Sequence, residues 1–481
     1  FHVVMDKKAI TIHKLLTISA FVVLAVLLFW NLGSTHLTNW DEAWNADIAR
    51  NMARTGKLLM PVWNSEPFFD KPPLYFWIMG FLFKIFGVSE FSARFISALS
   101  GLGTAVLTYI LGRMLFNRYA AFCSLAVLAS TIGFLFRART GNLDVLLAFW
   151  IILSIVAFYK GYRGNKKWWF PVMGIAAGLG FLTKGAIAFV FPAFAIFYLL
   201  FKKEITHALS KKLLGGIFLG IFISLLWIAA SLLVNGNDFT VAFFANQTEK
   251  WFPTNFAFWD SFSLDYIEFL KHGLKFWFIL FIPTFFIAAY RWWKTSNFLL
   301  IIYFGLLFIV LSFSENKSDW FLVPLYPIIA LILGANIAEI SKKILNSKAM
   351  LVSIALFAIA VVQNIIYKDQ YITVDIAGDE ARVALAAREA TREDELIYLT
   401  NYYVPTTVYY SERKVIAVYS EQEVNRAWWI NPKTYWQDIL RQHDVIIIGT
   451  VDELKELQAS FPNEQFKTLF QSGSKLLVKK I

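Results

Sequence analysis

The chain has 481 residues, of which 58% are hydrophobic and only 16% charged, with 48 Phe and 18 Trp. That balance excludes an ordinary water-soluble globular protein. The net charge of +11 would point to nucleic acid in a soluble protein. Here Lys and Arg fall mainly in short loops between apolar runs, the pattern that orients membrane proteins, and nucleic-acid binding is disfavoured.

The first apolar run, 15–32, follows Lys7, Lys8 and Lys14 in a layout like a signal peptide. Its length and the want of a clear small-residue cleavage site predict a retained anchor. After it comes the most informative stretch, from Asn39-Trp40-Asp41-Glu42 through Trp44, Asp47 and Arg50 to Asp70-Lys71-Pro72-Pro73-Leu74. Neighbouring carboxylates beside a hydrophobic anchor mark a functional site, because lipid tolerates acids poorly. Further runs at 94–116, 119–136, 143–159, 169–183, 186–201, 213–234, 274–290, 297–313, 320–339 and 349–367 bring the count to about eleven spans. The one cysteine, Cys123, lies inside such a run. It permits neither an intrachain disulfide nor a Cys-based metal site.

The stretch 74–88 decides the orientation. It is only about 15 residues and begins at Pro72-Pro73, which predicts an interfacial or re-entrant helix. With that helix lying along the interface, five basic loops fall on the side of the basic N-terminus. They hold Arg113/Arg118, Lys160/Arg163/Lys166/Lys167, Lys202/Lys203/Lys211/Lys212, Arg291/Lys294 and Lys342/Lys343/Lys348. The positive-inside rule then sets the N-terminus in the cytoplasm and the C-terminal tail outside. The other face collects 40–73, Arg139 to Asp144, Lys184, the loop 235–273 and 315–319.

Past residue 367 the pattern becomes soluble, which divides the chain into a membrane domain, 1–367, and a C-terminal domain, 368–481. Helices are predicted at 376–390 and 451–460, and strands at 395–400, 414–418 and 445–449. A terminal β pair at 466–470 and 475–479 turns across Ser472-Gly473-Ser474. The architecture is a polytopic α-helical membrane protein carrying a small soluble α/β domain.

Several residues suit a single reaction. Asp41 and Glu42 are placed to accept a proton from an attacking hydroxyl, or to hold an amine or a divalent cation. Lys71, fixed by the following prolines, offers a point charge to a phosphate at the membrane surface. Asp47, Arg50 and Arg54 share a helix face by their three- and four-residue spacing. Asp144 opens a span, where a carboxylate suits the helix N-terminus, and faces the same side as Asp41. Lys184 interrupts a long apolar stretch, while Lys250 and Lys317 sit in outer loops. Four cations with an acid pair on one face suit an anionic lipid headgroup.

These motifs resemble the polyprenyl-phosphate-sugar-dependent glycosyltransferases of the C-type membrane fold. The resemblance is to the aminoarabinose-transferase branch, which is similar to the protein O-mannosyltransferases. It rests on Asp41-Glu42-Ala43, Ala46-Asp47-Ile48-Ala49-Arg50, Lys71-Pro72-Pro73-Leu74, Leu143-Asp144, Leu182-Thr183-Lys184-Gly185, and Lys317 with the Pro324/Pro327 span. The resemblance implies inverting transfer of a sugar from a polyprenyl phosphate to a hydroxyl of a lipid, envelope glycan or protein, on the periplasmic face of a bacterial inner membrane. It implies Asp41 as general base, Asp144 as second essential carboxylate, and Lys71 with Lys250 and Lys317 on the leaving phosphate. Arg50, Asp70 and Lys184 complete the expected substrate-binding set. No metal is needed in principle, although a divalent cation at the carboxylates is compatible with them. Trp44 stands where the branch usually has Arg, and Asp70 where Glu often precedes the Lys-Pro corner. The resemblance therefore leaves the sugar and acceptor open. The competing class, a transporter or flippase of lipid-linked sugars, predicts midplane charges and internal repeats. The charges here gather at span ends instead.

Overall fold

The computed structural model describes residues 7–164, 166–251, 262–314, 317–345, 349–371, 375–400, 405–418 and 435–481. Helix α1 (Lys7–Phe29) leads to α2 (Asp41–Thr55), a two-stranded hairpin of β1 (Val62–Trp63) and β2 (Glu66–Pro67), and α3 (Leu74–Phe86). The bundle continues through α4 (Glu90–Leu115), α5 (Arg118–Leu128), α6 (Ile132–Ala138), α7 (Leu143–Tyr162), α8 (Trp169–Lys184), α9 (Val190–Phe201) and the single turn α10 (Ile205–Ala208). Then come α11 (Lys211–Trp251), α12 (Asp265–Leu274), α13 (Phe276–Trp292), α14 (Phe298–Ser312), α15 (Tyr326–Leu345) and α16 (Ala349–Ile366).

Each apolar run expected to cross is helical. By length and composition, five of the described helices are fit to span alone, and seven if each of two bent pairs counts as one. The bent pairs are α5 with α6, at 69°, and α12 with α13, at 119°. Breaks of this kind persist at membrane depth only where protein covers the freed backbone groups. Helix α3 has 13 residues, roughly 20 Å of rise. That is too short to cross, as its sequence suggested. The loop expected over 235–273 is largely helical instead. The chain bends at Gly236, whose φ of 59° is open to glycine at little cost, and the helix resumes. Phe239 and Phe243 hold that continuation by packing against Trp227, with ring centroids 5.5 and 5.2 Å away.

Close helix approach carries α8. A Cβ on Gly174 or Gly220 would collide with the backbone of the opposing helix, and Gly178 lies against Gly220 in the same seam. Small residues four apart let α8 and α11 touch backbone to backbone, the usual membrane solution where apolar burial drives nothing. This contact sets where Lys184, the last residue of α8, emerges.

The C-terminal region adds α17 (Gly378–Ala390), β3 (Ile397–Leu399), α18 (Pro405–Ser411), β4 (Val415–Ala417), α19 (Trp436–Ile439), β5 (Ile446–Thr450), α20 (Val451–Ser460), β6 (Phe466–Ser472) and β7 (Lys475–Lys480). The strands form one sheet in the order β4-β3-β5-β7-β6, with β3 parallel to β4 and β5 and the other pairs antiparallel. Thr450 and Glu453 cap α20 reciprocally, satisfying two otherwise orphaned N–H groups.

Helix α18 docks on α2, and β4 meets the β1–β2 turn. The Asn64 side chain donates to Val415 O and accepts from Val415 N, both at 2.8 Å, covering the β4 edge. Leu37 N donates to Tyr410 Oη at 2.8 Å, and Thr406 N donates to Asn39 Oδ1 at 3.0 Å. Glu412 accepts from Arg54 at 2.6 Å and pairs with Arg388 at 2.8 Å.

Beneath this interface, Arg94 of α4 donates to both oxygens of Glu42, at 2.7 and 2.9 Å. Glu42 is 2% exposed and also accepts from Thr38 and from Gly141 N. Removing one partner of a buried pair leaves a bare charge, at a cost of about 3–5 kcal/mol. Arg94→Ala is accordingly expected to lower the thermal unfolding midpoint of the detergent-solubilised protein sharply. An unchanged midpoint would show that the pair holds nothing together.

Candidate active site

Helix α2 begins at Asp41, following Trp40, which sits at a φ of 67°. Both acids of the Asp-Glu pair lie in its first turn, where the helix dipole favours them. Their side chains part company at once. Glu42 goes into the Arg94 pocket, whereas Asp41 accepts from Lys71 Nζ at 3.1 Å and keeps 27% of its side chain exposed. Lys71 precedes the Pro-Pro corner that starts α3, and its ammonium lies 5.5 Å from the Trp44 ring centre.

A second ion pair faces the first. Asp144 sits in the first turn of α7, where Asn142 Oδ1 accepts from its backbone N–H at 3.0 Å. Lys184 pairs with Asp144 and lies 4.8 Å from the Phe321 ring centre. The two pairs belong to one field. Asp144 feels the charge of Asp41, Asp41 feels Lys184, and both feel Arg137. Arg137 closes the cluster from α6, bonded to Asp319 at 2.7 Å and stacked over Trp320 at 4.9 Å.

The electrostatics keep the pair charged. Burial pushes the Asp41 carboxyl up, but Lys71, with help from Lys184 and Arg137, holds it below its ordinary value. Burial pushes the Lys71 ammonium down, and Asp41 and Asp70 together raise it above the usual lysine value. In such a site Asp41 is an ionised base and Lys71 a permanent cation.

The residues singled out from sequence thus divide. Asp41, Lys71, Asp144 and Lys184 converge. Asp70 borders them, buried and close enough to act on Lys71. Glu42 does not join; its bonds to Arg94, Thr38 and Gly141 give it a structural part. Arg50 is likewise drawn off. It pairs with Asp47, donates to Tyr409 O at 2.7 Å and stacks 4.5 Å over that ring, fastening α2 to α18. Lys317 donates to Ser314 O at 2.9 Å and lines a neighbouring cavity of about 660 Å³ with Asp319 and Trp320. The side chain of Lys250 lies outside the described residues. A divalent cation does not suit the carboxylates. Asp41 and Asp144 already face ammonium groups, and the described residues hold no cluster of three potential ligands. Sequence reasoning missed Arg137. Its signal was a second cation just behind an apolar run and a few residues ahead of Asp144.

Comparison with known proteins concerns the fold that carries this geometry. The chain matches the solved ArnT of Cupriavidus metallidurans in the apo state with a TM-score of 0.78, over 96% of this chain and 97% of that one, at 18% identity. The fold is the C type of membrane glycosyltransferases. The oligosaccharyltransferase of Archaeoglobus fulgidus aligns over 92% of this chain and 70% of its own, with a TM-score of 0.63 and 14% identity. At such identities these likenesses concern the fold alone.

Sequence relatives agree with the resemblance drawn from the motifs. Residues 70–233 match the family model of dolichyl-phosphate-mannose-protein mannosyltransferases. An uncharacterised protein of Aquifex aeolicus is 30% identical over 64% of this chain and 61% of its own length. An undecaprenyl phosphate-α-4-amino-4-deoxy-L-arabinose arabinosyl transferase of Pseudomonas fluorescens is 28% identical over 64% of this chain and 57% of its own. The match spans about three-fifths of the length of these curated relatives.

The Asp41 field has a pH consequence. Its folded carboxyl lies below the ordinary value of about 3.9, so the ionised form stabilises the fold above that value. The contribution is lost as pH falls through the lower folded value. Lys71→Met removes the leading opponent of burial and raises the carboxyl. In infrared titration, the protonated carboxyl band that Asp41→Asn abolishes should appear at higher pH in Lys71→Met than in wild type. An unshifted band would contradict the assigned cause.

Proposed function

We propose that the chain transfers a sugar from a polyprenyl phosphate to a hydroxyl acceptor, with inversion, at the outer face of a bacterial inner membrane. The observation that carries this reading is the pairing of two carboxylates with two lysines at the mouth of a membrane bundle. Support comes from the arabinosyl transferase relatives and from the ArnT of Cupriavidus metallidurans solved bound to undecaprenyl phosphate.

The groups account for the chemistry. The donor phosphate is an anion, and Lys71, now spent on Asp41, is a cation that can receive it. Exchange of partners leaves Asp41 ionised and free to take the acceptor's hydroxyl proton. The acceptor oxygen attacks the anomeric carbon, the bond from that carbon to the phosphate oxygen breaks, and the electron pair departs on the phosphate. Lys71 and Lys184 neutralise the charge that grows there, worth several kcal/mol where water is scarce. Asp144 holds Lys184 in place, and Arg137 adds a third positive field. Helix α18 of the C-terminal region, gripping α2, keeps Asp41 in register with Lys71.

Asp41→Asn keeps the shape and removes the base. It should lower transfer from a polyprenyl-phosphate sugar by about 10²–10⁴-fold while donor binding persists, measured with radiolabelled donor in proteoliposomes. Lys71→Met should weaken donor binding itself. Full transfer by Asp41→Asn would overturn the assignment and favour a carrier of lipid-linked sugars.

A further inference from the structure

The far ends of α7 and α8 hold a second charged feature that the proposed reaction does not use. Asp144 opens α7, while Lys160 and Arg163 stand at its close. A 20-residue helix is roughly 30 Å long, the thickness of a bilayer's hydrocarbon core. Lys160, Arg163 and Lys166 therefore lie at the membrane face opposite the carboxylate cluster.

There they line a cavity of about 500 Å³ together with Trp168, Trp169 and Leu115 at the end of α4. The Lys160 ammonium sits 3.8 Å from the Trp169 ring centre, and Trp168 lies tilted against Trp169 with ring centres 4.3 Å apart. Trp168 is 58% exposed, at the level where amphipathic rings anchor to headgroups. Among the described residues no carboxylate pairs with Lys160, Arg163 or Lys166; the nearest polar bond is a long one from Arg163 to Asn297, at 3.4 Å. A different cavity, of about 470 Å³, lies at the same end of the bundle and serves as a contrast. Its Arg291 is already neutralised by Glu339. Basic loops that only set topology need no hollow and no ring beneath the ammonium. Three uncompensated cations around a recess, walled by tryptophan at headgroup depth, match a phosphodiester with acyl chains running along the helices.

We propose that this cavity holds the phosphate of an anionic membrane lipid on the face opposite the reaction. The lipid would fasten the ends of α7 and α8, the helices whose other ends present Asp144 and Lys184.

The test uses the full chain in detergent, with native mass spectrometry of retained lipid after exchange into phosphatidylglycerol or phosphatidylcholine. Wild type is expected to retain one phosphatidylglycerol and to release phosphatidylcholine. Each charge near the surface is worth roughly fivefold, so Lys160→Gln/Arg163→Gln/Lys166→Gln should weaken retention on the order of a hundredfold. Should that variant fail to fold, Trp169→Leu keeps every charge and should still weaken retention severalfold. Equal retention of both lipids by wild type, or undiminished phosphatidylglycerol on the folded variants, overturns the proposal. Millimolar inorganic phosphate that binds alone and displaces the lipid also overturns it, by making free phosphate the occupant.

Discussion

The structure turns on a pair of ion pairs, Asp41 with Lys71 and Asp144 with Lys184, set side by side at one end of an apolar bundle. Burial works against a charged carboxylate at such a place. Each is tolerated because an ammonium faces it, and the ammoniums are tolerated for the same reason. The site is thus assembled in a resting, internally neutralised form. An incoming phosphate competes for Lys71, and Asp41 loses its partner at the moment a base is wanted.

Much of the remaining architecture fixes the four ends that carry these groups. Asp41 is held through α2, which Arg50 ties to Tyr409 and which Glu42 ties to Arg94. Lys71 is held by the proline corner before α3. Asp144 is set by the Asn142 cap, whose side-chain nitrogen also donates to the Thr140 carbonyl at 3.0 Å. Lys184 is set by the glycine seam between α8 and α11. Backbone and buried salt bridges do the positioning.

Much of this was legible in the chain. Apolar runs gave the helices, and the short Pro-Pro-led stretch gave α3 as a helix too short to cross. The helix at 451–460 matches the structure at both ends, because its Thr-x-x-Glu start is a local signal. Asp41, Lys71, Asp144 and Lys184 stood out because charges interrupting apolar sequence are costly. What was hidden was direction. Adjacent residues on a helix point about 100° apart, so Asp41 reaches the site while Glu42 reaches Arg94, and no pattern in one sequence separates them. Arg50 shared a face with Asp47 as spacing required, yet that face met α18, a contact between segments some 360 positions apart in number. Arg137 was hidden by its place behind a broken helix, where a bend decides which way it points.

The central claim is that Lys71 exchanges its carboxylate for a lipid phosphate, which Lys184, still held by Asp144, also faces. A structure with a non-transferable polyprenyl-phosphate sugar measures this most directly. The account predicts phosphate oxygens about 2.7–3.1 Å from both ammoniums, with Asp41 released and turned toward the anomeric carbon. A headgroup held elsewhere, with the Lys71–Asp41 pair intact, would contradict it.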